Sequence, residues 1–452
     1  VAIEDVDLIV IGGGQGGVPL AADYGKAGKK VVLFERELLG GSCVNYGCTP
    51  SKAFLASAHA AGRARWASRI GIHADVRVDG PAVMNRVRSV RKDWQDGVGP
   101  RLAKAGVEVV RASAAFSGER TVSGGGRELR ATTVVIDTGT SPAIPPIHGI
   151  ADVPYLTNKT FFDIADLPKR LIVVGGGYIG LELGQGAQRL GSAVTIVHGA
   201  TRLMEREEHD ASATLKTSLE RDGVRLCLNV HATEAAYDGS AVHLTLSDGT
   251  VLEGDALLLA AGRFPNTADL ALHQSNVECR HGGYVLADDY LQTTCPGVYA
   301  IGDVAGQPAF THVSWEDYRR LSSTLAGKPR RKDDRVLSYS SFTEPQLART
   351  GMTEAEARAA GHDARAVTMP LEYVARASEW DLELGFFRLV VDKPSGKILG
   401  ATFVGYEAGE LVQIVGFAIE LGATWRQLDD FVAIHPTFAE GLPSLARMLE
   451  KE

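Results

Sequence analysis

One stretch of the 452-residue chain recurs 163 positions later without a gap. Asp7-Leu-Ile-Val-Ile-Gly12-Gly-Gly-Gln-Gly-Gly17 falls on Arg170-Leu-Ile-Val-Val-Gly175-Gly-Gly-Tyr-Ile-Gly180. The match runs on: Leu20 falls on Leu183, Gly28 on Gly191, and Val31-Val-Leu-Phe-Glu35 on Val194-Thr-Ile-Val-His198. Each copy reads as a strand, a glycine turn, a helix and a second strand. A lone GxGxxG means little, because glycine turns are common. An apolar strand before it, a helix after it and the same spacing twice make it a dinucleotide-binding pattern. Gly12 and Gly175 make the turn, Gly14 and Gly177 admit a pyrophosphate close to the backbone, and Gly17 and Gly180 seat helix on strand. The helix N-terminus, with Ile179 in the second copy, then offers free N–H groups and the positive end of a dipole. Two such units predict two dinucleotides and a doubly wound α/β fold.

The residue ending the second strand separates the two sites. Glu35 can accept from both hydroxyls of an unphosphorylated ribose, which suits FAD. His198 stands in that place in the second copy, with Arg202 four residues on. No carboxylate there confronts a 2′-phosphate, a pairing that at ~4 Å would cost on the order of 4 kcal/mol at an effective dielectric of 20. The second site therefore takes NADPH or NADH, and the pattern leans to NADPH.

Composition narrows the class. A chain of this length exceeds what one core serves, which suggests about three domains. A net charge of −8 with scattered lysines and arginines gives no grip on a polyanion, so nucleic acid is not an expected partner. No apolar run approaches the ~18 residues that span a bilayer, and the chain starts directly on a buried-strand pattern, Val6 to Ile11; a cytoplasmic location is the expectation. Of five cysteines, Cys227, Cys279 and Cys295 lie far apart and read as ordinary thiols, with no metal site. Cys43 and Cys48 lie close together, just after the first dinucleotide unit.

Further along, Pro50 to Ile70 reads as a helix, and Gly80-Pro81 starts another whose Val83, Val87, Val90 and Trp94 recur at helical spacing as core. Val107 to Phe116 and Leu129 to Asp137 read as strands around Gly124-Gly125-Gly126, closing at Thr138-Gly139. The second unit runs to Gly262-Arg263-Phe264-Pro265-Asn266, and Val298 to Asp303 reads as a strand ending in an acid. From about Val336, strands at Phe386 to Val391 and Ile398 to Val404 precede a helix with Leu411, Ile414, Val415, Ala418 and Ile419 on one face. The expected division is residues 1–147 with 265–335 for FAD, 148–264 for NAD(P), and an α+β domain at 336–452.

The stretch Gly40-Gly41-Ser42-Cys43-Val-Asn-Tyr46-Gly-Cys48-Thr-Pro-Ser-Lys52, the glycine loop through Glu182, the Gly262 to Asn266 and Gly302-Asp303 segments, and His435-Pro436-Thr437 with Glu440 together resemble the pyridine nucleotide-disulfide oxidoreductases. That group holds glutathione reductase, dihydrolipoamide dehydrogenase and mercuric reductase, and the resemblance covers essentially the whole chain. It implies a homodimer, with the third domain as interface and His435 and Glu440 completing the other subunit's site. It implies electron flow from NAD(P)H through FAD to a Cys43–Cys48 disulfide and on to a small disulfide substrate. Cys48 would face the flavin and Cys43 would attack the substrate. His435 would move the thiol proton and Glu440 would orient it; Lys52 and Glu182 would pair near the flavin, and Tyr178 would cover it where nicotinamide enters. Gly41, Ser42, Thr138, Gly139, Asp303, Ala309, Thr311 and His312 match the family's flavin contacts, and Gly262 belongs with the NAD(P) set.

Three residues depart from the family pattern: Ser42 for threonine, Asp137 where alanine is common, and aromatic Tyr46 between the cysteines. Gln15 and Ala22 replace the serine and arginine with which glutathione reductases hold their peptide, which argues against glutathione. No cysteine follows Cys295, so the C-terminal cysteine relay of mercuric reductases is not expected. The glycine loop and Cys48-Thr-Pro-Ser-Lys52 look most like the mercuric-reductase-like branch. A dihydrolipoamide dehydrogenase, or a flavin-mediated reductase of quinones or metal ions, are the alternatives.

Overall fold

The computed structural model describes residues 2–450; Val1, Lys451 and Glu452 lie outside it. Leu8, Ile9 and Val10 are fully buried in sequence, the mark of a strand covered on both faces of a parallel sheet. That strand, Ile3–Ile11, is central in the parallel order Glu108–Val110, Val31–Phe34, Ile3–Ile11, Arg127–Ile136. An antiparallel hairpin, Ala114–Gly118 and Thr121–Gly124, extends it beside Arg127–Arg130, and Val298–Ala300 returns to lie parallel to Val134–Ile136. A second sheet repeats the scheme with Arg225–Leu228, Ala193–His198, Arg170–Val174, Ala256–Leu259 and Tyr155–Leu156, all parallel. A third, antiparallel sheet orders Ser338–Ser341, Gln346–Gly351, Ile398–Gly405, Phe386–Asp392 and Ala364–Pro370. The helix Ala408–Glu420 packs across it.

The sequence repeat survives as matched hydrogen bonds. Gly12 N–H donates to the Phe34 carbonyl at 2.8 Å, and Gly175 N–H to that of Val197 at 2.9 Å. Both glycines have positive φ, +106° and +125°, and a Cβ there would meet the carbonyl oxygen of Asp137 at 2.3 Å or of Ala260 at 2.2 Å. Only glycine supplies that turn against that neighbour.

Two features join the units. The connecting segments Thr140–Pro142 and Arg263–Pro265 pair antiparallel. The helix Cys48–Trp66 packs on Tyr178–Arg189, where Gly186 lets the Phe54 ring approach so closely that a Cβ would lie 2.5 Å from it. Phe54 and Leu181 of these two helices share one buried cluster with Leu347 and Val404 of the third sheet.

Several sequence expectations need correction. Trp94 lies near the end of the helix Gly80–Asp96 at 65% exposure, outside the buried stripe of Gly80, Met84 and Val87. Val107 to Phe116 is two short strands, broken at residues 111–113, and Thr121–Gly124 adds a strand the glycine run concealed. The strand from Val298 stops at Ala300, and Asp303 lies in a 3-10 turn, Gly302–Ala305. In Ala408–Glu420 the buried stripe is Ala408, Val412, Val415 and Gly416, while Ile414 and Phe417 face outward.

Candidate active site

A cavity of about 1000 Å³ runs from the end of the Val31–Phe34 strand to the two cysteines. Its floor is backbone: a Cβ on Gly41 would lie 2.8 Å from Gly14 Cα, and Gln15 closes the two loops by donating to the Gly40 carbonyl at 2.9 Å. At one end Glu35 Oε2 accepts from Gly13 N–H at 2.8 Å. This long slot, bare of side chains at the glycine loop and acidic at the strand end, fits an extended dinucleotide with an unphosphorylated ribose. Gly12, Gly14, Gly41, Ser42, Thr138 and Gly139 line it, as do Asp303, Ala309, Thr311 and His312. Gly17 lies behind it.

Asp137 explains Gly17. Its buried carboxyl accepts from Gly17 N–H at 2.7 Å, at the start of the helix Gly17–Lys26, and forms no salt bridge among the described residues. Burial pushes this carboxyl well up, and the charges of Asp303 and Asp317 add to that. The twin position in the second unit is Ala260, which has no such carboxyl.

At the other end, Cys43 sits in the short helix Gly41–Asn45 and Cys48 opens the helix Cys48–Trp66. Both are free thiols, and both line the cavity. The neighbouring Cys43 thiol pulls Cys48 down to about 6, and Thr311, whose Oγ1 lies 3.1 Å from Cys48 Sγ, and Lys52 act the same way. The neighbouring Cys48 and burial push Cys43 up. The environment favours the thiolate on Cys48, beside Thr311 and Lys52, over Cys43.

Lys52 Nζ donates to Glu182 Oε2 at 2.8 Å, and Phe342 N–H donates to Glu182 Oε1 at 2.9 Å. Tyr178 and Ile179 also face the cavity. Tyr46 lies on the side away from this pair: Lys159, bound to Glu37, stands 5.3 Å from its ring. Arg263 donates to Thr140 Oγ1 at 2.7 Å, and Thr140 in turn donates to Asp303 at 2.8 Å. No sequence signal pointed to that relay.

The second glycine loop, Gly175, Gly177 and Gly180, lies outside the cavity, with Gly262 and His198. His198 takes the part of Glu35: its Nδ1 accepts from Gly176 N–H at 3.2 Å. Accepting there keeps the ring neutral with its proton on Nε2, a buried atom with no partner among the described residues. Burial also lowers the pKa of His198. Arg202 turns away and donates to the Glu207 carbonyl at 2.6 Å.

His435 and Glu440 bond to each other, Nδ1 to Oε2 at 2.7 Å, but they do not meet the cysteines of their own chain. The His435 side chain is 74% exposed. Around it Phe431, Val432 and Ile434 are exposed, as are Phe417 and Leu421. An apolar patch surrounding a histidine–carboxylate pair is suited to cover by another molecule.

Comparison with known proteins agrees with this geometry. The family model described as pyridine nucleotide-disulphide oxidoreductase matches residues 6–317, and that of its dimerisation domain matches residues 337–446. A mercuric reductase of Staphylococcus aureus is 32% identical over 99% of this chain and 83% of its own length. A dihydrolipoyl dehydrogenase of Thermus scotoductus is 34% identical, over 100% of this chain and 98% of its own. The solved structure of the HOCl-induced flavoprotein disulfide reductase RclA from Escherichia coli superposes with a TM-score of 0.88 at 31% identity, over 98% of this chain and 100% of that one. Among the described residues, no helix is long and apolar enough to cross a membrane.

Proposed function

The chain belongs to the pyridine nucleotide-disulphide oxidoreductase family, and on that premise we propose that this FAD-dependent NAD(P)H:disulfide oxidoreductase reduces a low-molecular-weight disulfide through Cys43 and Cys48. The observation that carries the reading is that the cavity ends on both cysteines, with Thr311 Oγ1 3.1 Å from Cys48 Sγ and the Lys52–Glu182 pair beside them. FAD, when bound, accepts the hydride of NAD(P)H and returns two electrons to the cysteine pair. Gly12 and Gly14 would admit its pyrophosphate, with Gly17, bonded to Asp137, seating the helix behind them, and Glu35 would hold its ribose. Gly41, Ser42, Lys52, Thr138, Gly139, Asp303, Ala309, Thr311 and His312 would line its length. Residues 1–147 and 265–335 form this unit in our reading, residues 148–264 bind the nicotinamide nucleotide, and 336–452 form the dimer interface.

Cys43 loses its proton to His435 of the partner subunit, oriented by the partner's Glu440, and its thiolate attacks one sulfur of the substrate disulfide. The first thiolate leaves and takes the proton from the partner's His435, with Cys43 held in a mixed disulfide. The Cys48 thiolate then attacks Cys43 Sγ, forming the Cys43–Cys48 disulfide and releasing the second thiolate. Lys52, paired with Glu182, keeps a positive charge near Cys48. One disulfide and two electrons with two protons thus give two thiols.

A second reading is direct reduction of a quinone or metal ion by the flavin. It is favoured by the relatives, among them a mercuric reductase and an RclA solved as a Cu(II) complex. We further propose that NADPH is accepted at least as well as NADH, because a neutral His198 replaces the carboxylate at the second strand end.

The deciding experiment follows oxidation of NADPH and NADH by the FAD-loaded protein against glutathione disulfide, lipoamide, other thiol disulfides, a quinone and Cu(II), beside Cys43→Ser. Turnover of one disulfide that Cys43→Ser abolishes with FAD retained is the expected result. Activity confined to quinone or Cu(II) and surviving in Cys43→Ser would replace this reading with the second.

A further inference from the structure

Two phenols and one carboxylate meet where the two nucleotide sites adjoin. Tyr178 opens its helix directly after the second glycine loop, yet its ring lines the cavity of the first site with Cys48 and Thr311. Its hydroxyl donates to Glu207 Oε1 at 2.8 Å, and the hydroxyl of Tyr339 donates to the same oxygen at 2.9 Å. Glu207 is 4% exposed. Its other oxygen has no hydrogen bond among the described residues, and Arg349 faces it at 3.7 Å. The Phe310 ring closes the group, edge-on to Tyr178 and stacked on Tyr339 with ring centres 5.0 Å apart.

The partners come from different parts of the fold. Tyr178 and Glu207 belong to the second unit, whereas Tyr339 and Arg349 lie on neighbouring strands of the third sheet. Burial, and next the charge of Glu207, push both phenols up, so both keep their protons and donate. A carboxylate bound by a second phenol and faced by an arginine does not follow Tyr178 when that ring moves. Tyr178 therefore has one defined closed position, set from outside its own helix.

We propose that Glu207, fixed by Tyr339 and Arg349, is a latch that holds Tyr178 closed across the junction, so that nicotinamide reaches the flavin only when the Tyr178–Glu207 bond breaks. The proposal rests on the reading of the second repeat as the nicotinamide nucleotide site. Glu207 and Tyr339 are positioning residues that act through Tyr178. The apparent affinity for the coenzyme is lowered by the fraction of protein with the gate open, so loosening the latch tightens binding.

The test measures flavin reduction by NADPH in rapid mixing, and the fluorescence of the bound flavin, for the FAD-loaded protein and for Tyr178→Phe, Glu207→Gln, Tyr339→Phe and the Tyr178→Phe/Glu207→Gln pair. Each single variant is expected to lower the half-saturating NADPH concentration by about fivefold, equivalent to about 1 kcal/mol. Flavin fluorescence rises as the quenching ring leaves, and in Glu207→Gln and Tyr339→Phe the limiting turnover with disulfide changes by less than about twofold. Glu207→Gln adds nothing in the Tyr178→Phe background, as one pathway requires. Parental values in Glu207→Gln and Tyr339→Phe, or effects that add to those of Tyr178→Phe, overturn the latch. If Glu207→Gln does not fold, Tyr339→Phe decides, since it removes a single hydroxyl. A parent protein whose flavin neither NADPH nor NADH reduces overturns the underlying site reading instead, and the two failures are distinct.

Discussion

At the scale of single residues, chemistry here is set by which neighbour gives or takes one proton. Cys48 is pulled to about 6 by Cys43, Thr311 and Lys52, so its thiolate is present above that pH and is lost as pH falls through it. In the reduced protein the ultraviolet absorbance of the thiolate should titrate with a midpoint near that value. Thr311→Val should move the midpoint up by about one unit, the effect of losing one charge-assisted hydrogen bond. His198 makes the second case. His198→Glu would face a 2′-phosphate with a carboxylate, and the ratio of kcat/KM for NADPH over NADH should fall by at least about tenfold. An unchanged ratio would remove His198 from the coenzyme site.

At the scale of elements, the glycine loops were legible because they depend on local rules: a turn, a helix start and a close approach repeat with a period that a self-comparison finds. The acid at position 35 was legible for the same reason, and its twin at 198 keeps the same bond with a different side chain. The bonds between distant segments were not legible. Thr311 reaches Cys48 across 263 positions and Tyr339 reaches Glu207 across 132, and neither spacing has a period to detect. Helix faces were half legible. The 3.6-residue rhythm placed Val83, Val87 and Val90 correctly but ran on to Trp94, outside the buried stripe. It also took Ile414 for core, although the helix is apolar on two sides and a single chain covers one. Helix contact itself yields a prediction: Gly186→Val would push the Phe54 ring away from Tyr178–Arg189. Overpacking there should cost about 1–3 kcal/mol, read as a lowered midpoint in denaturant unfolding.

At the scale of the whole molecule, one shared buried cluster and one charged knot bind the helices Cys48–Trp66 and Tyr178–Arg189 to the third sheet. Burial pulls the Glu344 carboxyl up, yet His59, Arg189 and Arg63 hold it down to about 2, tying the third sheet to helices of the other two units. The outward apolar face tells a different story. Val432 is 90% exposed in the single chain, beside the His435–Glu440 pair. Val432→Asp should therefore shift the protein toward monomer in sedimentation and abolish disulfide turnover, with flavin reduction by NAD(P)H retained. A dimeric, fully active Val432→Asp would separate that patch from the site.

The pairing of Thr140–Pro142 with Arg263–Pro265 reaches beyond the chemistry. Pro142 and Arg263 are cross-strand partners, so the chain leaves this two-stranded ribbon and comes back to it at adjacent points. Everything between them is an insertion with touching ends, the arrangement in which a segment can be lengthened or shortened without moving the points where it joins its host. What holds that insertion in place is therefore not its joints but the packing of Phe54 on Gly186 and the Arg189–Glu344 pair.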